Sequence, residues 1–164
     1  MSEVSAFDPN AFLEAQITEV TERRAPLPEH NPSTPDGLYT AVVGAPTVGG
    51  TGTIGKGDKM GQPWLQMVIP LSIEVPAEFQ TSLKLPAVLK ISDRPFINLT
   101  AAGTIDNTPG ANMRMKAYRD ATGMNNPGDA FSWRKLEGQV VKVKIKHEMY
   151  EDTIRENISQ VLKA

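Results

Sequence analysis

Cysteine is absent from the chain, and histidine occurs only twice, as His30 and His147. The first absence removes disulfides, thiolate nucleophiles and cysteine-ligated metals, and it is compatible with a reducing compartment. The two histidines stand far apart and neither begins a Glu-x-x-His pattern, so a zinc site is not expected. No Gly-x-Ser-x-Gly elbow is present and the carboxylates form no clustered pattern, which argues against hydrolase or nuclease chemistry. Neither catalysis nor a cofactor is therefore expected. No apolar run approaches the roughly 20 residues that span a bilayer. The opening Met-Ser-Glu-Val-Ser lacks the basic and apolar regions of a signal peptide. A soluble chain with no membrane partner is the expectation. Aromatics make up only 6% of the residues, so any binding surface built from rings must compete with the core for them.

What is present is a strand with two contrasting faces. In residues 138–147, Gly-Gln-Val-Val-Lys-Val-Lys-Ile-Lys-His, the β-branched Val141, Val143 and Ile145 alternate with Lys142, Lys144 and Lys146. The apolar set should pack inward, leaving ammonium groups spaced about 6.5 to 7 Å apart on the other face. Such a row suits a polyanion, although an exposed strand face is commonly polar in any case.

Charge is unevenly distributed. Residues 1–36 carry seven acidic side chains against Arg23 and Arg24, a balance of −5, while residues 37–164 carry 15 basic and 12 acidic, a balance of +3. The body is mildly basic, which permits nucleic-acid binding through a local groove without demanding it. In the acidic leader, Asp8 before Pro9 offers an N-cap and an N1 proline for a short helix. Pro26, Pro28, Pro32 and Pro35 then predict an exposed arm or linker over residues 25–35.

The body starts at the Asp36-Gly37 turn, and residues 38–43 read as the first strand. Residues 44–62 contain seven glycines with Lys56 and Lys59, and read as a long hairpin loop with a short β-extension around 51–54. Gly50 to Lys56 has the spacing of a phosphate loop, but Gly57 replaces the hydroxyl residue and no helix-forming run follows, which excludes a nucleoside triphosphate site. Residues 64–73 place Leu65, Met67, Ile69, Leu71 and Ile73 on one face, with Pro70 implying an edge or a bulge. A linker over 74–82 leads to a third strand over 83–91 and 96–100, interrupted near Pro95. Residues 111–122 have helical spacing, with Met115 and Tyr118 inward, Arg114, Lys116 and Arg119 outward, and Gly123 as the stop. The lysine strand, a hairpin over 147–152 and a final strand over 153–162 complete the chain.

Three strands, a helix and two strands is the succession of the OB fold. The expected architecture is mainly β: a five-stranded OB-fold-like barrel over 36–164, one helix between the third and fourth strands, and an extended N-terminal arm over 1–35. Residues 7–13 (Phe-Asp-Pro-Asn-Ala-Phe-Leu), 35–42 (Pro-Asp-Gly-Leu-Tyr-Thr-Ala-Val), 119–123 (Arg-Asp-Ala-Thr-Gly), 127–132 (Pro-Gly-Asp-Ala-Phe-Ser) and 136–147 also carry a likeness. In these stretches the chain resembles a family of tailed-phage replication-module proteins, similar to phage OB-fold single-stranded DNA-binding proteins.

The resemblance implies sequence-tolerant binding of single-stranded DNA in phage replication or recombination, in the host cytoplasm. Phage replication proteins and further copies of the chain are the other expected partners. Single-stranded DNA-binding proteins of bacteria and some phages end in an acidic tail that recruits partners, whereas this sequence ends Val-Leu-Lys-Ala, so recruitment through such a tail is not expected. Binding of this kind needs cations along the backbone and flat rings for the bases. The candidate rings are Trp64, Tyr150, Trp133, Tyr39 and Phe96, and the candidate cations are Lys56, Lys59, Lys84, Lys90, Arg94, Lys142, Lys144 and Lys146. A reading from a different class, a virion structural or decoration protein, is also consistent with a small β-barrel and a glycine-rich arm. A third is a regulator that acts on a partner enzyme through the acidic arm.

Overall fold

The computed structural model describes residues 6–164; the first five residues, including Glu3 of the acidic leader, lie outside the described part. Seven strands form one antiparallel sheet that does not close on itself. They are β1 (Tyr39–Val43), β2 (Thr47–Thr53), β3 (Pro63–Glu74), β4 (Val88–Asp93), β5 (Phe96–Ile97), β6 (Val140–Tyr150) and β7 (Thr153–Lys163). Two α-helices accompany them, α1 (Ala77–Ser82) and α2 (Met113–Ala121).

The central strand is β3, twelve residues whose inward face buries Met67, Ile69, Leu71 and Ile73, as the alternation predicts. One side of β3 pairs first with β2 and then with β1; the other pairs with β5 and then β4. Where five strands are expected, seven therefore form, because the chain breaks at Gly44 to Pro46 and again at Arg94 and Pro95. Prolines at both breaks withhold ladder donors. Pro70 does not mark an edge. Its carbonyl accepts from the Gly44 amide at 2.7 Å, and in an antiparallel ladder the N–H and C=O of one residue face the same neighbour. Its missing donor consequently falls at the gap between β1 and β2, where no partner needs it.

The glycine-rich stretch is a strand over β2 rather than a loop, and Trp64 explains why. A Cβ on Gly52 would lie 2.7 Å from Trp64 Nε1, and one on Gly50 would lie 3.4 Å from the same ring. At Gly52 the lack of a side chain lets the indole lie across the neighbouring strand, and at Gly50 the ring passes at ordinary contact distance. The mobile-looking part of the sequence shrinks to a tip over residues 54–62.

On the far side of the sheet β1 pairs with β6, and β6 pairs with β7 over most of its length. Val141, Val143 and Ile145 are fully buried, as the period of two predicts. The β6–β7 hairpin is tighter than expected: His147 to Tyr150 belong to β6, and the turn consists of Glu151 and Asp152, both at positive φ. Helix α2 buries Met115, Tyr118 and Ala121 and stops before Gly123, whose φ is +71°. Helix α1 replaces the expected linker over 74–82, and residues 133–136 form a 3-10 turn.

The arm divides differently from the expectation. Residues 6–22 are exposed throughout, with Pro9–Leu13 forming a 3-10 turn capped by the Asp8 carboxylate. From Ala25 onward the chain packs on the body, burying Leu27 and Asn31. The prolines of this stretch fix an extended path that fits against β6 and β7; they do not make it a free linker.

Candidate nucleic-acid interface

A groove of about 1330 Å³ opens between β4–β5 on one wall and the β6–β7 hairpin on the other. It lies where the sheet fails to close. Strands β4 and β7 approach each other, yet neither pairs with the other. Arg114 from α2 spans the floor of this seam, its Nε 3.3 Å from an Asp93 carboxylate oxygen and one terminal nitrogen donating to the Ile158 carbonyl at 2.8 Å. The same carboxylate oxygen accepts from the Tyr118 hydroxyl at 2.8 Å. The helical wheel predicts an outward Arg114; the neighbouring carboxylate and carbonyl turn it into a half-buried clasp.

Burial dominates the electrostatics of this floor. It pushes the Asp93 carboxyl above the usual carboxylate range, against the opposing pull of Arg114 and the Tyr118 hydroxyl. Burial, reinforced by the Asp93 charge, likewise raises the Tyr118 phenol, which stays protonated as the donor.

Lys90, Arg94, Phe96 and Tyr150, all read from sequence as binding candidates, line this one groove. Phe96 is exposed on β5, and its ring meets Trp64 edge-on with 5.9 Å between centroids. Trp64, half-buried on the same outer face as Gln66, therefore extends the aromatic surface just beyond the groove lining. Tyr150 is exposed at the end of β6, and the Arg155 guanidinium covers one face of its ring at 4.5 Å.

Residues missed by sequence reading also line the groove: Arg23, Arg24, Arg114 and Arg155. Arg155 lies between Glu151-Asp152 and Glu156, and Arg23 sits in an acidic leader, so neither carries a local signal. The lining is mixed in sign, because Asp93, Glu148, Glu151 and Glu156 share it. Two of these acids are occupied, Asp93 by Arg114 and Glu156 by Arg24 at 2.7 Å. Arg23, Lys90, Arg94 and Arg155 form no ion pair among the described residues and are free to meet an anion.

The remaining candidates lie elsewhere. Tyr39 is fully buried, and its hydroxyl donates to the Pro28 carbonyl at 2.6 Å. It cannot stack on a base; its place is the core, where burial raises its phenol to about 12. Trp133 is half-buried against Tyr118 and Phe131, with centroids 6.4 and 5.9 Å away, and closes the core beside α2. Lys142 pairs with Asp36 at 3.0 Å. Lys144 and Lys146 line a separate cleft with Glu29, His30 and Asp36. Lys56 and Lys59 are exposed at the tip after β2, and Lys84 sits at a positive φ of 55° between α1 and β4. None of these lysines lines the groove.

His147 is a tether for the arm. One ring nitrogen lies 2.7 Å from the Leu27 carbonyl, and its amide donates to Glu29 at 2.9 Å. Among the described residues no group of three His, Asp or Glu side chains is arranged to hold a metal ion, and no helix is long and apolar enough to cross a membrane. A scan against models of known protein families matches none of them, and a search of curated proteins finds no relative.

Proposed function

We propose that this protein binds single-stranded DNA with little regard to sequence and without catalysis, acting in phage DNA replication or recombination. The observation that carries the reading is the convergence of Lys90, Arg94 and Arg155 with Phe96 and Tyr150 in one groove, beside the half-buried Trp64. Cations to follow the backbone and rings for the bases are the two ingredients that sequence-tolerant strand binding requires. The shallow, open shape suits an extended chain better than a compact metabolite.

The topology supports an OB-type reading of the sheet. If β1 with β2 and β4 with β5 are each taken as one bent strand, the pairing runs first with second, second with third, first with fourth, and fourth with fifth. That is the OB succession with the third-to-fifth contact left unpaired, and the helix enters between third and fourth. The groove then falls beside the second and third strands and the turn between the last two, where such folds take their ligands.

The test is fluorescence anisotropy of a labelled oligo-dT titrated with the protein. Saturable binding that Lys90→Glu with Arg94→Glu abolishes is the expected result. A virion structural or decoration protein, the competing reading, would leave the oligonucleotide tumbling freely at every concentration.

A further inference from the structure

The seam that forms the groove has two unpaired walls. Strand β4 is bonded only to β3 and β7 only to β6, so each turns a free edge toward the other. Arg114 bridges them at one level, Asp93 with Ile158. Beyond it, residues 153–157 of β7 pair with β6 on one side and have no strand on the other. Free edges of this kind accept an added strand.

A segment suited to that place belongs to the same chain. Residues 17–22, Ile-Thr-Glu-Val-Thr-Glu, hold four β-branched side chains in six, a composition that favours extended pairing. None is paired: Ile17 is 80% exposed and Val20 81%. The segment is joined directly to Arg23, which lines the groove, and is tethered there by Arg24 on Glu156 and by the Leu27 amide on the same carboxylate at 2.6 Å. No long linker has to be closed. Six extended residues span about 20 Å, the length of β4 itself. Charge also matches, since residues 6–22 hold Asp8, Glu14, Glu19 and Glu22 and no basic residue, opposite the unpaired Lys90, Arg94 and Arg155.

We propose that residues 17–22 swing into this seam as an added strand and occupy the groove until a nucleic acid displaces them. The protein thereby carries its own competitor, and only a ligand offering more negative charge than the strap opens the site. The inference rests on the reading of the groove as the single-strand site, and the test separates the two.

Two measurements on the full chain decide it. In hydrogen exchange at low salt, the amides of residues 17–22 are expected to be protected about tenfold or more over a free peptide, and to lose that protection with saturating oligo-dT or high salt. Exchange at the free-peptide rate overturns the strap. In binding, Glu14→Gln with Glu19→Gln and Glu22→Gln should tighten oligo-dT about threefold or more at low salt. The control, Glu74→Gln with Glu78→Gln and Glu137→Gln, removes the same charge from exposed sites outside the groove lining and should tighten it less. Equal tightening by both sets reduces the effect to net charge and overturns the proposal. If no variant binds oligo-dT, the groove reading fails by itself, while amide protection still decides whether the strap closes.

Discussion

Arg114 joins the two free edges of the sheet, lying 3.3 Å from Asp93 on β4 and donating at 2.8 Å to the Ile158 carbonyl on β7. A side chain here performs what ladder hydrogen bonds do elsewhere in the sheet. Replacing it with Met keeps the aliphatic stem but strands a buried carboxylate and a carbonyl, so Arg114→Met should cost about 2 kcal/mol in urea unfolding. A loss below about 0.5 kcal/mol, the range of ordinary surface changes, would show that the seam needs no clasp.

The floor of the seam also sets a pH dependence. Burial raises the Asp93 carboxyl in the folded protein, so the native state binds that proton more tightly than the unfolded chain does. The resulting contribution to stability is fully present below the unfolded carboxylate pKa and is lost as pH rises through the raised folded value. Asp93→Asn removes this titration and keeps a side chain able to accept from Tyr118. Measured across the acid range, the stability of the parent relative to Asp93→Asn should rise as pH falls. The opposite slope would mean that Arg114 outweighs burial.

Trp64 makes a separate demand on β2. An added Cβ at Gly52 meets the indole at 2.7 Å, so Gly52→Ala must displace the ring. A cost of about 1 kcal/mol is expected, with a shift in tryptophan emission. Gly55→Ala, where nothing lies within 4 Å, is the matched control and should stay within about 0.5 kcal/mol of the parent.

Tyr39→Phe tests the reassignment of that ring from surface to core. The Pro28 carbonyl would lose its 2.6 Å donor, which costs about 1 kcal/mol or somewhat more. Affinity for oligo-dT should not change. A selective loss of binding at unchanged stability would restore Tyr39 as a contact residue.

The elements with strict periodicity were legible in the sequence: β3, β6 and α2 bury the side chains that alternation or helical spacing selects. What misled was local texture whose cause lies far away in the chain. The glycines of β2 look like a flexible loop until Trp64 is set across them, and Pro70 looks like an edge until the break beside Gly44 removes the need for its donor. Helix α1 is only six residues long and follows Pro76, too short for a period to show. The candidate groove was half legible. Lys90, Arg94, Phe96 and Tyr150 have residue types that suit it, but only the sheet topology separates them from Tyr39, Trp133 and the lysine row, and adds Arg23, Arg114 and Arg155.

The most direct test of single-strand binding uses the indole beside the groove. In a Trp133→Phe background the emission comes from Trp64 alone, 5.9 Å from Phe96. Titration with oligo-dT should quench it to saturation, and affinity should fall with salt at a log–log slope of roughly −2 to −3, the value for three or four phosphates neutralised by Arg23, Lys90, Arg94 and Arg155. Emission that ignores the oligonucleotide at low salt as at high would contradict the proposed function.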